Sequence, residues 1–474
     1  MHYTKMTQES VAALNKRLHN EATAGAARPV YHFTPPAMWM NDVNGAIEGN
    51  GLRHLFYLHD PFQADGLSEA VMPSGKQVEG KAKPNRVWGH AVTRDWVHWR
   101  YLPPVLLPER EKGEIKCISG GSIITADGTP LIMYTTVHEN PLLRGQYVAV
   151  GDRGLNLFRQ SQKNPVIGHD MPGAEKLDDE CRDPFLFYQH GQLYCIVAGR
   201  FSKKDGEYAG IALYAAQGND YEKWACAGML VERPVTETTY FECPKLFQMG
   251  EYWVLVYSPF APPKYMTGML DAKACRFDVV HEGLIDATDY AYATVNLNGA
   301  DGNAYLMSWV PGWHFNRQPS ANWGGCLSVP RKLSLDANGA LVQTPAEEIM
   351  ALRGAETKAS GILKTDAFCL YIDGISEGEQ VKLLADEREI WSLRCEGGRM
   401  MNADGLCVYD APCKAMLLWD VCVGELFLDG GRACVTDMEP GDTSRLRIET
   451  LGEPRLRLFE MNRGSCVYAD EIKF

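Results

Sequence analysis

Tyr252-Trp253-Val254-Leu255-Val256-Tyr257 is a run of six apolar or aromatic residues set between Gly250 and Pro259. It is too short for a buried helix, and its branched and aromatic side chains suit a pleated strand. The pattern recurs at His54-Leu55-Phe56-Tyr57-Leu58 and at Pro130-Leu131-Ile132-Met133-Tyr134-Thr135. From Tyr31 onward, Gly, Pro, Asn and Asp mark turns between such runs. The chain therefore reads as all-β, built as a propeller, a barrel or a sandwich. No tight sequence repeat fixes the number of units. Only the amino-terminal stretch reads as helix, with Val11, Leu14 and Leu18 spaced along one face.

Just upstream of the opening run lies Tyr240-Phe241-Glu242-Cys243-Pro244. Two other stretches share its design: Glu180-Cys181-Arg182-Asp183-Pro184 and Trp39-Met40-Asn41-Asp42-Val43-Asn44-Gly45. Each sets a carboxylate between apolar or aromatic residues and a turn-forming Gly or Pro, which holds an acid at the buried end of a strand. Carboxylates converging from distant positions are what cleavage of a glycosidic bond requires. One serves as acid/base, one as nucleophile or base, and a further one binds hydroxyls. Taken singly, each stretch has a plainer reading. Asn-Asp-x-Asn-Gly makes a hairpin turn, and Arg-Asp-Pro makes a surface ion pair beside a turn.

In this order, and with Tyr31-His32-Phe33-Thr34-Pro35-Pro36 ahead of the first, the three stretches resemble the signature of glycoside hydrolase family 32. That family contains invertases, inulinases, levanases and sucrose-6-phosphate hydrolases. The resemblance implies a five-bladed β-propeller followed by a β-sandwich. It runs from about residue 29 to the end, strong at the acidic motifs and weak in the carboxy-terminal part. There, Leu417–Val423 and Glu425–Gly431 read as a hairpin-like pair. The implied organisation is a helical extension at 1–28, a propeller at 29–340 and a sandwich at 341–474. Ala346-Glu347-Glu348-Ile349-Met350 looks like a short helical linker near that boundary.

By the same resemblance Asp42 would be the nucleophile and Glu242 the acid/base. Asp183 would bind fructose hydroxyls and stabilise an oxocarbenium-like transition state, while Arg182 would pair with a carboxylate and orient the cluster. Trp39, Asn41, Asp60, Trp88, Ser119, Arg182 and Trp323 are the candidate substrate contacts. The implied activity is retaining hydrolysis of β-fructofuranosyl linkages in sucrose, fructo-oligosaccharides or a related fructoside. A fructosyltransferase or fructan-cyclising enzyme shares the first chemical step and stays open as an alternative. A carbohydrate-binding propeller without catalysis fits the retention of all three acids poorly.

The substrate-contact positions depart from the family pattern more than the catalytic ones. Leu58 stands where the family usually has a hydrogen-bonding Gln, and Val43 stands where it has Pro. A polar insertion at 63–87 precedes Trp88-Gly89-His90. Losing a buried hydrogen-bond partner changes discrimination between sugars strongly, so specificity is where this chain departs.

A formal charge of −13 argues against nucleic acid or an anionic membrane surface as the main partner. No apolar run approaches the roughly 20 residues of a membrane helix, and Met1–Ala27 has no signal-type apolar core. The 14 cysteines show no disulfide or zinc spacing. The expected setting is cytoplasmic, with a small-molecule or oligosaccharide fructoside as partner and no metal or cofactor. Whether the chain forms a homo-oligomer is open.

Overall fold

The structure is a computed structural model that describes residues 7–23, 28–62, 86–171, 175–176, 181–299, 302–312, 314, 323–439, 443 and 445–468. Residues 63–85 of the insertion and Glu180 lie outside the described residues. The chain is all-β, with one substantial helix, Gln8–Thr23, at its amino-terminal end. Val11 of that helix is buried, and the helix packs on the strand His98–Leu106.

From Met38 to Pro345 the strands form five successive antiparallel sheets, each pairing its neighbours in chain order. Their opening strands are Met38–Gly49, Glu114–Ile124, Arg182–Gln189, Glu242–Met249 and Tyr292–Asn298. Each opening strand lies beside the next, and the fifth lies beside the first. The run Tyr252–Tyr257 explains how the sheets pack. Trp253, Leu255 and Tyr257 enter a core shared with the third sheet, through Phe187 and Ile196. Val254 and Val256 enter one shared with the fifth, through Leu306 and Leu333. Alternate side chains of a strand point to opposite faces, so a strand covered on both faces must be apolar at every position. Leu55 and Tyr57 face the fifth sheet while Phe56 and Leu58 face the second, for the same reason.

Two short segments tie the ends together. Trp323–Gly324 pairs in parallel with Met38 and Trp39, and Ser465–Val467 pairs in parallel with His98–Arg100. Beyond Pro345 comes the short helix Glu347–Met350, then two six-stranded antiparallel sheets sharing one core. The hairpin read from the sequence is present, with Ala415–Asp420 paired to Val423–Leu428. Phe368, Leu417 and Leu426 face the partner sheet. Cys369, Leu418 and Phe427, one residue out of phase, instead cover Tyr31, Phe33 and Val329.

That contact also carries a buried ionic network. Arg331 binds Glu425 at 2.7 Å and Asp286 at 3.1 Å, and His32 lies between Asp420 at 2.8 Å and Glu425 at 2.9 Å. All five side chains are at most 1% exposed. Removing one partner of such a network strands a buried charge, at a typical cost of about 3–5 kcal/mol. Burial alone would lower the pKa of His32, but hydrogen bonds to Asp420 and Glu425 override it and push the value up to about 9. A histidine raised in this way stabilises the fold fully below its unfolded value of ~6.5 and loses that contribution as pH climbs through the folded value. We expect the melting temperature of the protein to fall between pH 6.5 and 9, and His32→Gln to flatten that slope. Parallel slopes for the two proteins would mean that His32 is neutral in the folded state.

Candidate active site

Each opening strand breaks its ladder near its beginning. The register shifts fall between Met40 and Val43, Cys117 and Gly120, Arg182 and Phe185, Glu242 and Lys245, and Tyr292 and Val295. A bulge bends a strand and re-aims the side chains beside it. Five bulges at matching positions in five neighbouring strands therefore gather side chains from far-apart stretches of sequence. At three of them the backbone is left-handed: Asp183 (φ 62), Cys243 (φ 51) and Ala293 (φ 46). Non-glycine residues hold that conformation only where their surroundings impose it.

What meets there is an acidic cluster. Ser119 Oγ donates to Asp42 Oδ2 at 2.5 Å, and Asn41 Nδ2 donates to Oδ1 at 3.2 Å. The Cys243 thiol lies 3.5 Å from the same Oδ2, and its backbone N–H donates to Asp183 Oδ2 at 3.0 Å. Arg182 Nη2 donates to Glu242 Oε1 at 2.9 Å, and its Nε is 3.5 Å from Asp183 Oδ2. The Arg182 guanidinium also stacks over Tyr240, 4.3 Å from the ring centre. On the other oxygen of Glu242, the Tyr292 hydroxyl donates at 2.5 Å. Thr135 Oγ1 accepts from the Asp183 N–H at 2.9 Å, and Gln146, bonded to Thr135, donates to the Cys181 carbonyl. The Arg-Asp-Pro segment is thus fixed from behind by the second sheet.

Burial and charge divide the labour among these acids. Glu242 is 9% exposed, so its carboxyl is largely desolvated. Desolvation is the main cause that lifts its pKa, Asp183 and Asp42 add to it, and Arg182 and the Tyr292 hydrogen bond oppose it. The balance stands at about 7. Asp183, 2% exposed, is also raised by burial, against Arg182 and the Cys243 N–H. Asp42 is less enclosed than either. Such an arrangement gives one acid able to donate a proton near neutrality beside a carboxylate held by neutral donors. Among the described residues no group of three His, Cys, Asp or Glu is placed to hold a metal ion.

Residues 32–345 match the model of the glycosyl hydrolases family 32 N-terminal domain. The chain belongs to that family and is a glycoside hydrolase. It is 27% identical to the sucrose-6-phosphate hydrolase of Escherichia coli, over 98% of this chain and 94% of that protein. It is likewise 27% identical to the raffinose invertase of Escherichia coli, over 69% of this chain and 66% of the relative's length. Among solved structures, a mutant of a family 32 β-fructofuranosidase of Bombyx mori in complex with sucrose superposes with a TM-score of 0.78. That match has 21% identity and covers 97% of this chain and 99% of that one. The sucrose-6-phosphate hydrolase of Lactobacillus gasseri gives 0.76 at 22% identity, covering 97% and 100%.

Asp42, Asp183, Glu242, Arg182, Ser119 and Asn41 are brought together by direct contacts. The tryptophans are placed otherwise. Trp39 is 1% exposed and packs edge-on against Trp309, beside Cys243 and Tyr292, as flooring under the cluster. Trp88 is fully buried between the first two sheets, with its indole N–H on the Ile118 carbonyl. Trp323 is fully buried against Cys422, Val423 and Met438. None of the three offers an open ring face to a sugar. Asp60 is buried opposite Trp39 and accepts the Phe62 N–H, as a turn cap. Leu58 shares the core around Phe56 and Trp88, so packing has taken the place of a polar contact there.

Tyr292, Lys245 and Thr135 were not singled out from sequence. Tyr292 had a signal, because Asp289-Tyr290-Ala291-Tyr292-Ala293 partly echoes the family's Asp-Phe-Tyr-Ala. Thr135 and Lys245 lie in apolar runs and had none.

Proposed function

We propose that the protein is a retaining β-fructofuranosidase, a hydrolase of fructosides in which Asp42 is the nucleophile, Glu242 the acid/base and Asp183 the transition-state stabiliser. The observation that carries this reading is the pairing of Asp42, hydrogen-bonded by Ser119 and Asn41, with Glu242, whose pKa stands at about 7. In the first step Asp42 attacks the anomeric carbon while Glu242 protonates the departing oxygen. The carboxylate that forms on Glu242 is received by Arg182 and Tyr292, which already donate to its two oxygens. Glu242 is then the base that activates water to release fructose from Asp42. Asp183, held by the Cys243 N–H, stays fixed to meet sugar hydroxyls and developing positive charge.

The five sheets read as the blades of a five-bladed β-propeller spanning 29–340, with 1–28 a helical extension and 341–474 a β-sandwich. Successive sheets share cores around the whole circuit, which supports that reading. Sucrose or its 6-phosphate is the favoured substrate, since the sucrose-6-phosphate hydrolase of Escherichia coli matches along nearly its whole length. Fourteen free cysteines suit a reducing, cytoplasmic setting.

Incubation of the purified protein with sucrose, sucrose 6-phosphate, kestose, inulin and levan, followed by product chromatography, tests the reading. Free fructose is expected as the main product from at least one of them. Longer oligosaccharides in its place would assign the protein to transfer, and no turnover of any fructoside would sink the proposal.

A further inference from the structure

Lys245 is a fully buried lysine that the chemistry described above does not use. It follows the Glu242 bulge, and from the fourth sheet it reaches into the second, where Nζ donates to the Gly120 carbonyl at 2.8 Å. Gly120 sits at the end of the bulge that presents Ser119, and Ser119 Oγ is 2.5 Å from Asp42. The backbone is closely packed there. A Cβ at Gly120 would fall against the Met133 carbonyl, and one at Gly121 would meet the Phe185 ring. The ammonium lies 5.3 Å from the centre of that ring.

We propose that Lys245 is a positioning residue for the nucleophile: its hydrogen bond to Gly120 fixes the bulge that aims Ser119 at Asp42, and its charge offsets the two aspartates. The inference rests on the assignment of Asp42 as nucleophile. The groups that face the ammonium are Asp42 from the first sheet, the Gly120 carbonyl from the second, Asp183 and Phe185 from the third, and Cys243 on its own strand. Arg182 supplies the other cation, directed at Glu242 and Asp183. Among the described residues, with Glu242 protonated, two aspartates stand against two cations. Taking Lys245 away leaves one negative charge uncompensated in a desolvated site. Burial lowers the pKa of Lys245 while the carboxylates of Asp183 and Asp42 hold it up. Asp183 in turn is held down partly by Lys245.

Two substitutions separate the hydrogen bond from the charge. Lys245→Gln removes the charge and keeps an N–H donor one bond shorter in reach, whereas Lys245→Met removes both. Because small displacements of a reacting group cost up to ~100-fold in rate, we expect kcat to fall between 10- and 100-fold in Lys245→Met, and less in Lys245→Gln. Loss of a nearby opposite charge disfavours carboxylate ionisation by about one pH unit or more. The acid limb of kcat/KM is therefore expected to move up by that amount in both variants. A purely structural lysine would lower the amount of folded enzyme without moving the limb. Should Lys245→Met fail to fold, Lys245→Gln carries the pH measurement alone. A folded variant with the parental acid limb overturns the proposal. A crystal structure of either variant decides the geometric part without reference to activity. A Ser119–Asp42 contact unchanged in Lys245→Met overturns it, and a displaced Ser119 supports it, even if the parent hydrolyses no fructoside and the functional reading falls.

Discussion

Asp42→Asn is expected to fold normally and to lose on the order of 10⁴-fold or more in turnover, which is about 5 kcal/mol of transition-state stabilisation. The substitution is nearly isosteric, and Asp42 sits at a bulge where its side chain accepts from Ser119 and Asn41 without carrying the core. An amide oxygen still accepts one of those bonds, so the local structure has little reason to collapse. What is lost is the negative charge that must attack an electron-poor anomeric carbon, and no covalent intermediate forms without it. Circular dichroism and the melting temperature establish that the variant is folded. Turnover of the best natural fructoside and trapping of the enzyme by an activated fructoside then test the role. Native-like turnover in the folded variant, or trapping at the parental rate, would remove Asp42 from the chemistry.

The expected loss is large because, among the described residues, the other two acids of the site are already engaged. Asp183 is enclosed and committed to the Cys243 N–H, and Glu242 is committed to Arg182 and Tyr292. Each acid was legible in the sequence, since each stood in an apolar setting next to a turn former. The positioning groups were less legible, for physical reasons. Thr135 lies within the strand Pro130–His138, just after an apolar run, and only the folded geometry shows that its hydroxyl meets the Asp183 N–H. Lys245 reads locally as one more polar residue after a Pro, yet it is buried across a sheet boundary. Neither pattern has a local signature, because both depend on where a neighbouring sheet lies.

The same distinction explains the tryptophans. Trp39 and Trp88 were expected at the pocket because their motifs border it, and a Trp near a sugar site is a natural stacking surface. Their burial follows from the tight packing of consecutive sheets, where large aromatic side chains fill the space between neighbouring sheets. All-β character was legible from strand runs apolar at every position, since two covered faces leave no polar alternation. The number of sheets was not legible, because the bulges that repeat at Asp42, Ser119, Asp183, Cys243 and Ala293 share geometry and not residue type.

Glu242→Gln is the second large effect, and its size should depend on the leaving group. Amide and carboxyl have the same shape, so Arg182 and Tyr292 can stay in place, but Gln cannot donate a proton to a departing sugar oxygen. General acid catalysis contributes roughly 10²–10⁴-fold, and a loss at the upper end of that range is expected on sucrose or its 6-phosphate. On a fructosyl fluoride, which departs without protonation, formation of the fructosyl-enzyme should be only mildly affected. Its breakdown, which needs the base, should then limit the rate. The pH dependence gives an independent reading of the same group. Glu242 acts first in its protonated form, so parental kcat/KM should decline as pH rises through about 7, the value at which desolvation and the neighbouring aspartates place it against Arg182. That decline should vanish in Glu242→Gln when the fluoride is the substrate, because nothing is then left to titrate as the acid. A basic limb that persists unchanged in the variant would assign the titrating acid to another group and withdraw the role from Glu242.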